Sequence, residues 1–267
     1  MTIEPDLLHA DGILSALPVE VRDDIVSLQV VDETGSTQAD ALAAPIPPQG
    51  CSVLLAERQT AGEGRLGRRW LSPRGSGIAL SLSRRFDRGA AQMAGLSLAV
   101  GVAVAEALQG LGLSQLRLKW PNDLQVEGRK LGGILINLRA ERTACAAVIG
   151  IGLNVRMPAD LSAVIGQPVC DLASLLAPTP SRNEVAAAVL ARLLPVLQEF
   201  ELGGFAPLRA RWQPLDALVG QPVHLVEGDV RHAGLCLGVS PDGALRVRED
   251  GGSVRDFHGG EASVRAA

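Results

Sequence analysis

The sequence predicts an α+β fold in two parts: a mixed β-sheet with flanking helices over residues 1–216, then a small all-β unit over residues 217–267. Three observations carry this expectation. Short apolar runs of strand type recur through the first part, several of them alternating, with longer helical stretches between them. Near Asp216 the texture changes to short strands separated by Gly and Asp turns, a pattern of small barrels. The 267 residues are 47% hydrophobic with a net charge of −4, which supports a full globular core. The boundary between the parts falls within residues 214–220.

The elements follow in order. "PVEVRDDIV" (18–26) predicts a short amphipathic helix and "SLQVVDET" (27–34) a strand. In "GSTQADALAA" (35–44), Ser36 or Thr37 caps a helix, and "APIPPQG" (44–50) stops it because proline lacks the amide and fixes φ. "CSVLLAE" (51–57) and the alternating "GIALSLSRR" (77–85) read as strands, and one long helix is expected from about 90 to 111. "LRLKW" (116–120) and "LQVEGRKLGGILINLR" (124–139) read as strands around a "PND" turn and an "EGRK" turn, and "ACAAVIGIGLNV" (144–155) as a buried strand. Residues 156–180 are rich in Pro, Gly and Ser and predict a loop with a short helix. "NEVAAAVLARLLPVLQEF" (183–200) predicts a helix kinked at Pro195, and "FAPLRARW" (205–212) a shorter one. "QPVHLVEG" (221–228), "RHAGLCLGVS" (231–240), "GALRVRED" (243–250) and "GSVRDFHGGEASVRA" (252–266) supply the strands of the second part.

Composition narrows the function classes. A protein that binds nucleic acid through its overall field is basic, and this chain is not. Cys51, Cys145, Cys170 and Cys236 are far apart and form no C-x-x-C, so they read as buried reduced thiols and not as a disulfide framework or zinc site. The acidic opening "MTIEPDLLHADGILSAL" (1–17) lacks the basic region of a signal peptide. The longest apolar run, "MAGLSLAVGVAVAEALQGLG" (93–112), carries Glu106 and Gln109 and reads as a buried helix. A cytoplasmic protein with no membrane partner is expected.

"AGEGRLGRRW" (61–70) contains Gly62, Gly64 and Gly67, a literal G-x-G-x-x-G. A dinucleotide turn needs a strand leading in and a helix leading out. Here "RQTA" intervenes, and "RRWLSPRGSG" (68–77) continues into an alternating strand. No Gly-Lys-Ser/Thr follows, so a Walker A loop is excluded as well. What remains is a Gly-rich loop between strands, whose amides and Arg65 fork suit an anion. Taken alone, the stretch fits a solvated surface hairpin equally well. The companions decide for a ligand. "KWPNDL" (119–124), "GRKLGGIL" (128–135) and "GIGLNV" (150–155) each place cations, amides or small residues at a strand end.

These motifs together resemble the biotin protein ligases. "GSTQ" (35–38), "ERQTAGEGRLGRRW" (57–70), "KWPNDL", "RKLGGIL" and "GIGLNV" stand in the family's order and spacing, and the tail "HGGEASVRA" (258–266) is similar to the end of its C-terminal domain. The resemblance runs from about Ser27 to the end of the chain. It implies a mixed sheet related to the class II aminoacyl-tRNA synthetases, with an SH3-like C-terminal barrel. It implies a two-step reaction: biotin and ATP give biotinyl-5′-AMP and pyrophosphate with Mg²⁺, and a lysine of a biotin carboxyl carrier protein then attacks the adenylate.

By the same resemblance, Arg65 and Lys130 sit where the biotin carboxylate meets the α-phosphate. Ser36, Thr37 and Gln59 contact the biotin head, and Arg68 and Asn154 lie near the nucleotide. Lys119, Asn122 and Asp123 flank the reacting centre, where Asp123 is expected to deprotonate or orient the attacking lysine. Gln38, Gly62, Glu63, Gly64, Trp70, Gly132 and Gly133 complete the expected binding positions, and no residue is assigned to a metal. Three departures stand out. Gln38 occupies a position where the family usually has Asn. Glu63 replaces the first Arg of the loop. The segment "RMPADLSAVIGQPVCDLASLL" (156–176) has no aromatic residue to stack on adenine, so aliphatic side chains must meet the base or ATP affinity is carried elsewhere.

Fewer than forty residues precede "GSTQ", too few for the helix-turn-helix that some relatives carry, so no DNA partner is expected. A homodimer through the central sheet accords with the resemblance. Two alternatives remain: a lipoate or octanoate ligase or transferase on the same fold, and a non-catalytic biotin sensor.

Overall fold

Alternation of side chains builds the central sheet and gives it two unlike faces. The computed structural model describes residues 6–159, 161–227, 230–258 and 263–266. Helices α1 (Ala10–Ser15) and α2 (Val19–Arg22) precede β1 (Ile25–Thr34), and α3 (Thr37–Ala43) connects it to β2 (Cys51–Gln59). The sheet continues with β3 (Gly77–Phe86), β4 (Arg117–Lys119), β5 (Asp123–Val126), β6 (Arg129–Ala140) and β7 (Cys145–Asn154), in the order β1-β2-β3-β7-β6-β5-β4. Only β1 and β2 are parallel.

Register explains the asymmetry. Ser81 of β3 lies opposite Gly150 of β7, which lies opposite Leu135 of β6; Ala79, Gly152 and Gly133 form the next such row. Opposed residues share a face. The intervening positions, Leu80, Leu82, Ile149, Ile151 and Ile134, belong to the hydrophobic core. That core face is covered by α4 (Leu96–Gly110) and α7 (Arg182–Gly203), which pack on each other. On the face of small residues α3 packs over β2, β3 and β7, leaving a depression beside it.

Several expectations change in detail. The expected single helix from 90 is broken: a short 3₁₀ turn spans Ala90–Met93, Gly95 adopts φ 79°, and α4 starts at Leu96. Among the described residues, the segment Ala90–Gly110 alone has the length and apolarity to cross a membrane, and it lies largely within the core. Residues 156–180 hold two short helices, α5 (Leu161–Ile165) and α6 (Leu172–Leu175). Helix α7 continues through Pro195, whose position is exposed to solvent. Its start is fixed by a Ser181–Glu184 capping box. All four cysteines are free and buried, as expected.

After α8 (Arg209–Trp212), strands β8 (Pro222–Glu227), β9 (Val230–Val239), β10 (Leu245–Glu249), β11 (Val254–Phe257) and β12 (Ser263–Ala266) form an antiparallel sheet in the order β11-β10-β9-β8-β12. This is the SH3-like unit the sequence pointed to. Residues 259–262 of the family-like tail lie outside the described residues. The unit is joined to β4, where Ala217 N donates to Leu118 O at 2.9 Å.

Candidate active site

The depression on the small-residue face is a cavity of about 860 Å³. Its lining gathers every expected site residue except Gly62 and Gly132. Those two serve close packing behind the wall: a Cβ at Gly62 would lie 2.5 Å from Trp70 O, and one at Gly132 would lie 2.5 Å from Gly152 O.

The floor is polar and fully interlocked. Ser36 is the N-cap of α3, its side chain accepting from Ala39 N. This places Thr37 and Gln38 against the sheet, 3% and 6% exposed. Thr37 N and Oγ1 both donate to Gln59 Oε1, at 2.8 and 3.1 Å. Gln38 Nε2 donates to Asn137 Oδ1 and Val148 O, each at 2.9 Å. Ser81 Oγ lies 2.9 Å from Thr37 Oγ1 and 3.0 Å from Gln38 Oε1. Glycines of β7 make room for this layer. A Cβ at Gly150 would lie 2.6 Å from Gln38 Oε1, and one at Gly152 would lie 2.6 Å from Trp70 Cε2.

One wall is the Gly-rich loop, folded as a hairpin. Gln59 N donates to Ser72 O at 3.0 Å, Trp70 N to Gly62 O at 2.8 Å, and Glu63 pairs with Arg69 through the backbone. At its tip Leu66 and Gly67 take φ 57° and 68°, and β3, not a helix, follows. The dinucleotide reading is thereby excluded. Leu66 is a left-handed non-glycine residue, a conformation that carries strain. Arg65 reaches across the cavity, Nη1 donating to Asn122 Oδ1 at 3.3 Å. Burial lowers its guanidinium pKa, with Asp123 opposing and Arg68 adding to that effect. Glu63 is exposed on the wall, and among the described residues it has no salt-bridge partner.

The opposite wall holds the β4–β5 turn and the start of β6. Lys119 ends β4, and Asn122 is anchored by Nδ2 donating to Ile134 O at 2.9 Å. Lys130 Nζ donates to Asp123 Oδ1 at 2.6 Å, a half-buried ion pair. Asn154 Nδ2 donates to Cys170 O at 3.0 Å, tying the segment after β7 to the site. That segment contributes Val164, Ile165, Gly166, Gln167 and Val169, an aliphatic end wall that includes no aromatic residue. Val164 is 71% exposed.

The site therefore pairs an uncharged hydrogen-bonding floor with cations at its mouth, and an apolar shelf beyond them. Sequence reading did not single out Ser81; it held Gly150 and Gly152 only within "GIGLNV" and named aliphatic contacts to the base without the residues that make them. A serine in an alternating strand looks like any solvent-facing position until α3 closes over it.

Both parts of the chain match known protein families. Residues 30–154 match the model of the biotin/lipoate A/B protein ligase family, and residues 218–265 match the biotin protein ligase C-terminal domain. The bifunctional ligase/repressor BirA of Escherichia coli K12 is 37% identical over 262 residues, covering 98% of this chain and 79% of BirA. The biotin–[acetyl-CoA-carboxylase] ligase of Paracoccus denitrificans is 33% identical, covering 82% of this chain and 93% of that protein. The biotin protein ligase of Aquifex aeolicus, solved in complex with biotin and ATP, superposes with a TM-score of 0.73 at 28% identity, covering 91% of this chain and 99% of the other.

Proposed function

Because this chain belongs to the biotin/lipoate A/B protein ligase family, we propose that the cavity performs the two half-reactions of a biotin protein ligase. Biotin is activated with ATP to biotinyl-5′-AMP and is then transferred to a lysine of a biotin carboxyl carrier protein. The observation that supports this most directly is the joint presence, in one cavity, of the amide and hydroxyl floor and the cations Arg65, Lys119 and Lys130. A cyclic urea needs hydrogen-bond partners of both kinds. A dithiolane or an alkyl chain needs none, and so fits this floor poorly.

In the first step a carboxylate oxygen attacks the α-phosphorus and pyrophosphate leaves. Two anions must approach, and Arg65 and Lys130 offset their repulsion with preorganised charge. Thr37 and Gln59 hold the head group, and Ser36 keeps both in place as the helix cap. Arg68 and Asn154 flank the nucleotide, whose base rests on Val164, Ile165 and Val169 in place of an aromatic ring. Among the described residues, no group of three or more His, Cys, Asp or Glu is arranged to hold a metal. Magnesium bound with the triphosphate would supply further neutralising charge. In the second step the amine attacks the acyl carbon and AMP leaves; the amine must lose a proton, since a free lysine has a pKa of about 10.4. Asp123 holds Lys130 until phosphate takes that cation, and its released carboxylate then accepts the proton.

The test is ATP–pyrophosphate exchange with biotin, lipoate and octanoate, followed by label transfer to a carrier domain. Exchange with biotin alone and transfer is the expected result. Exchange with lipoate or octanoate favours the alternative ligase, and biotin binding without exchange favours a sensor.

Partners follow from the same surfaces. Beyond Gly133 the outer edge of β6 is not paired with β5, and an open edge of this kind supports a homodimer through the central sheet. Sedimentation with and without biotin and ATP checks it. The net charge of −4 and the burial of the apolar helix support a cytoplasmic enzyme without DNA or membrane partners. A gel shift with biotin-operator DNA at moderate salt would overturn the first of these exclusions.

A further inference from the structure

We propose that Gln38 is a positioning residue that fixes the polarity of the pocket floor, turning the Ser81 hydroxyl into an acceptor so that the floor selects a ligand N–H. The inference rests on the biotin-ligase reading for the identity of the head group, and on proton counting for everything else.

Each proton of the floor can be followed. Thr37 Oγ1 carries one hydrogen, committed to Gln59 Oε1 at 3.1 Å. Both hydrogens of Gln38 Nε2 are committed, to Asn137 Oδ1 and Val148 O at 2.9 Å each. The amide is thereby held with Oε1 facing Ser81 Oγ at 3.0 Å. Ser81 has one hydrogen and two acceptors in reach, Gln38 Oε1 and Thr37 Oγ1, the latter at 2.9 Å. Thr37, Gln38 and Ser81 are 6% exposed or less, so water cannot easily make up a deficit between them.

With Ser81 donating to Gln38 and Thr37 donating to Gln59, the Ser81 and Thr37 oxygens face each other with lone pairs only. That arrangement is unfavourable until a donor arrives. A ring N–H of a urea supplies one; a sulfur atom or a methylene does not. Without the Gln38 carbonyl, Ser81 would donate to Thr37, and the two hydroxyls would satisfy each other with no ligand. The longer glutamine stem is what lets one side chain reach both the β7 backbone at Val148 and the Ser81 hydroxyl. Gly150 leaves the space for its carbonyl.

A double-mutant cycle read by calorimetry of biotin binding tests the claim. Gln38→Met keeps the length and removes the whole amide, so the Nε2 bonds to Asn137 and Val148 are lost in both backgrounds and cancel in the cycle. It is expected to weaken biotin binding about tenfold or more, the effect of an unmet buried polar contact. On a Ser81→Ala background the same change is expected to cost less than about twofold, because its route of action is gone. The KM for ATP should stay near wild type in both backgrounds, and the thermal midpoint should fall alike in both, since Val148 O loses its donor in each. An equal loss in both backgrounds, or no loss in either, overturns the proposal, as does a parallel loss for ATP, which would mark a merely structural role. Should Gln38→Met not fold, Gln38→Asn keeps the amide while withdrawing it from Ser81, and the same cycle applies. Wild-type pyrophosphate exchange separates the two levels: biotin binding without exchange refutes the ligase reading but leaves the cycle readable.

Discussion

Glu63 is the residue whose chemistry runs against its surroundings. It lines the cavity beside Arg65 and Arg68, yet the only pairing it makes with its loop is through the backbone, to Arg69. A carboxylate there repels the carboxylate and phosphates that the cavity is proposed to hold. Its exposure limits the cost, because exposed charges are screened by water and salt. Glu63→Arg is therefore expected to tighten biotin binding by about three- to tenfold at low salt, less at high salt. No change across salt would mean the side chain lies outside the field felt by the ligand. Asp123 poses a different question, since the same carboxylate both holds Lys130 and is proposed to accept a proton. Asp123→Asn should slow transfer from preformed adenylate by about tenfold or more, with partial recovery as pH rises and the acceptor amine deprotonates unaided. Slower adenylate formation with intact transfer would show that it acts only by placing Lys130.

Among the elements, strands and their order in the chain are legible from alternation because each strand meets only its neighbours in the sheet. The helix after residue 90 is not, because its break is set by distant packing. A Cβ at Gly95 would lie 2.5 Å from Phe205 Cβ and 3.0 Å from Asp242 O, so close packing against Phe205 and the Asp242 turn sets where α4 begins. The binding motifs were legible as sequence, but Ser81 was not, since its role depends on α3 lying over β3. The link between β4 and the C-terminal unit carries a titratable group of its own. Asp216 forms a bridge with Leu118 and is 9% exposed. Burial raises its carboxyl pKa, with the Leu218 amide opposing. A carboxyl raised in the folded state favours folding at pH below its unfolded value, and that contribution is lost as pH rises through the folded value. At neutral pH the buried charge thus weakens the link. Asp216→Asn, which can still accept from Leu218 N, should raise the thermal midpoint at pH 7 and leave it nearly unchanged at pH 4. A lower midpoint at both pH values would show that the carboxylate has a favourable partner at the joint.

For the molecule as a whole, the proposed division between residues 216 and 217 describes the texture of the chain, while the packing describes a single body. One hydrophobic cluster includes Leu55, Leu80 and Val189 of the first part together with Val223, Cys236 and Val247 of the second. The Trp120 indole N–H, from the same turn that carries Asn122, donates to Gly243 O at 3.0 Å, and Arg209 Nε donates to Val239 O at 2.8 Å. Elements that share a core unfold together. Two thiols report on this. Burial pushes the Cys51 thiol up to about 12, with Asp24 adding and Arg84 opposing. Burial pushes Cys236 up to about 11, with the Gly238 amide opposing and Asp216 adding. Neither forms thiolate near neutral pH while folded, and the thiolate is the reactive form. Both should resist a thiol reagent in buffer. With rising urea, Cys51 in β2 and Cys236 in β9 should become reactive at one midpoint, because opening either unit strips apolar surface from the other. Labelling of Cys236 at a lower urea concentration than Cys51 would show instead that the C-terminal unit opens alone, and that Trp120 keeps its place in the site without it.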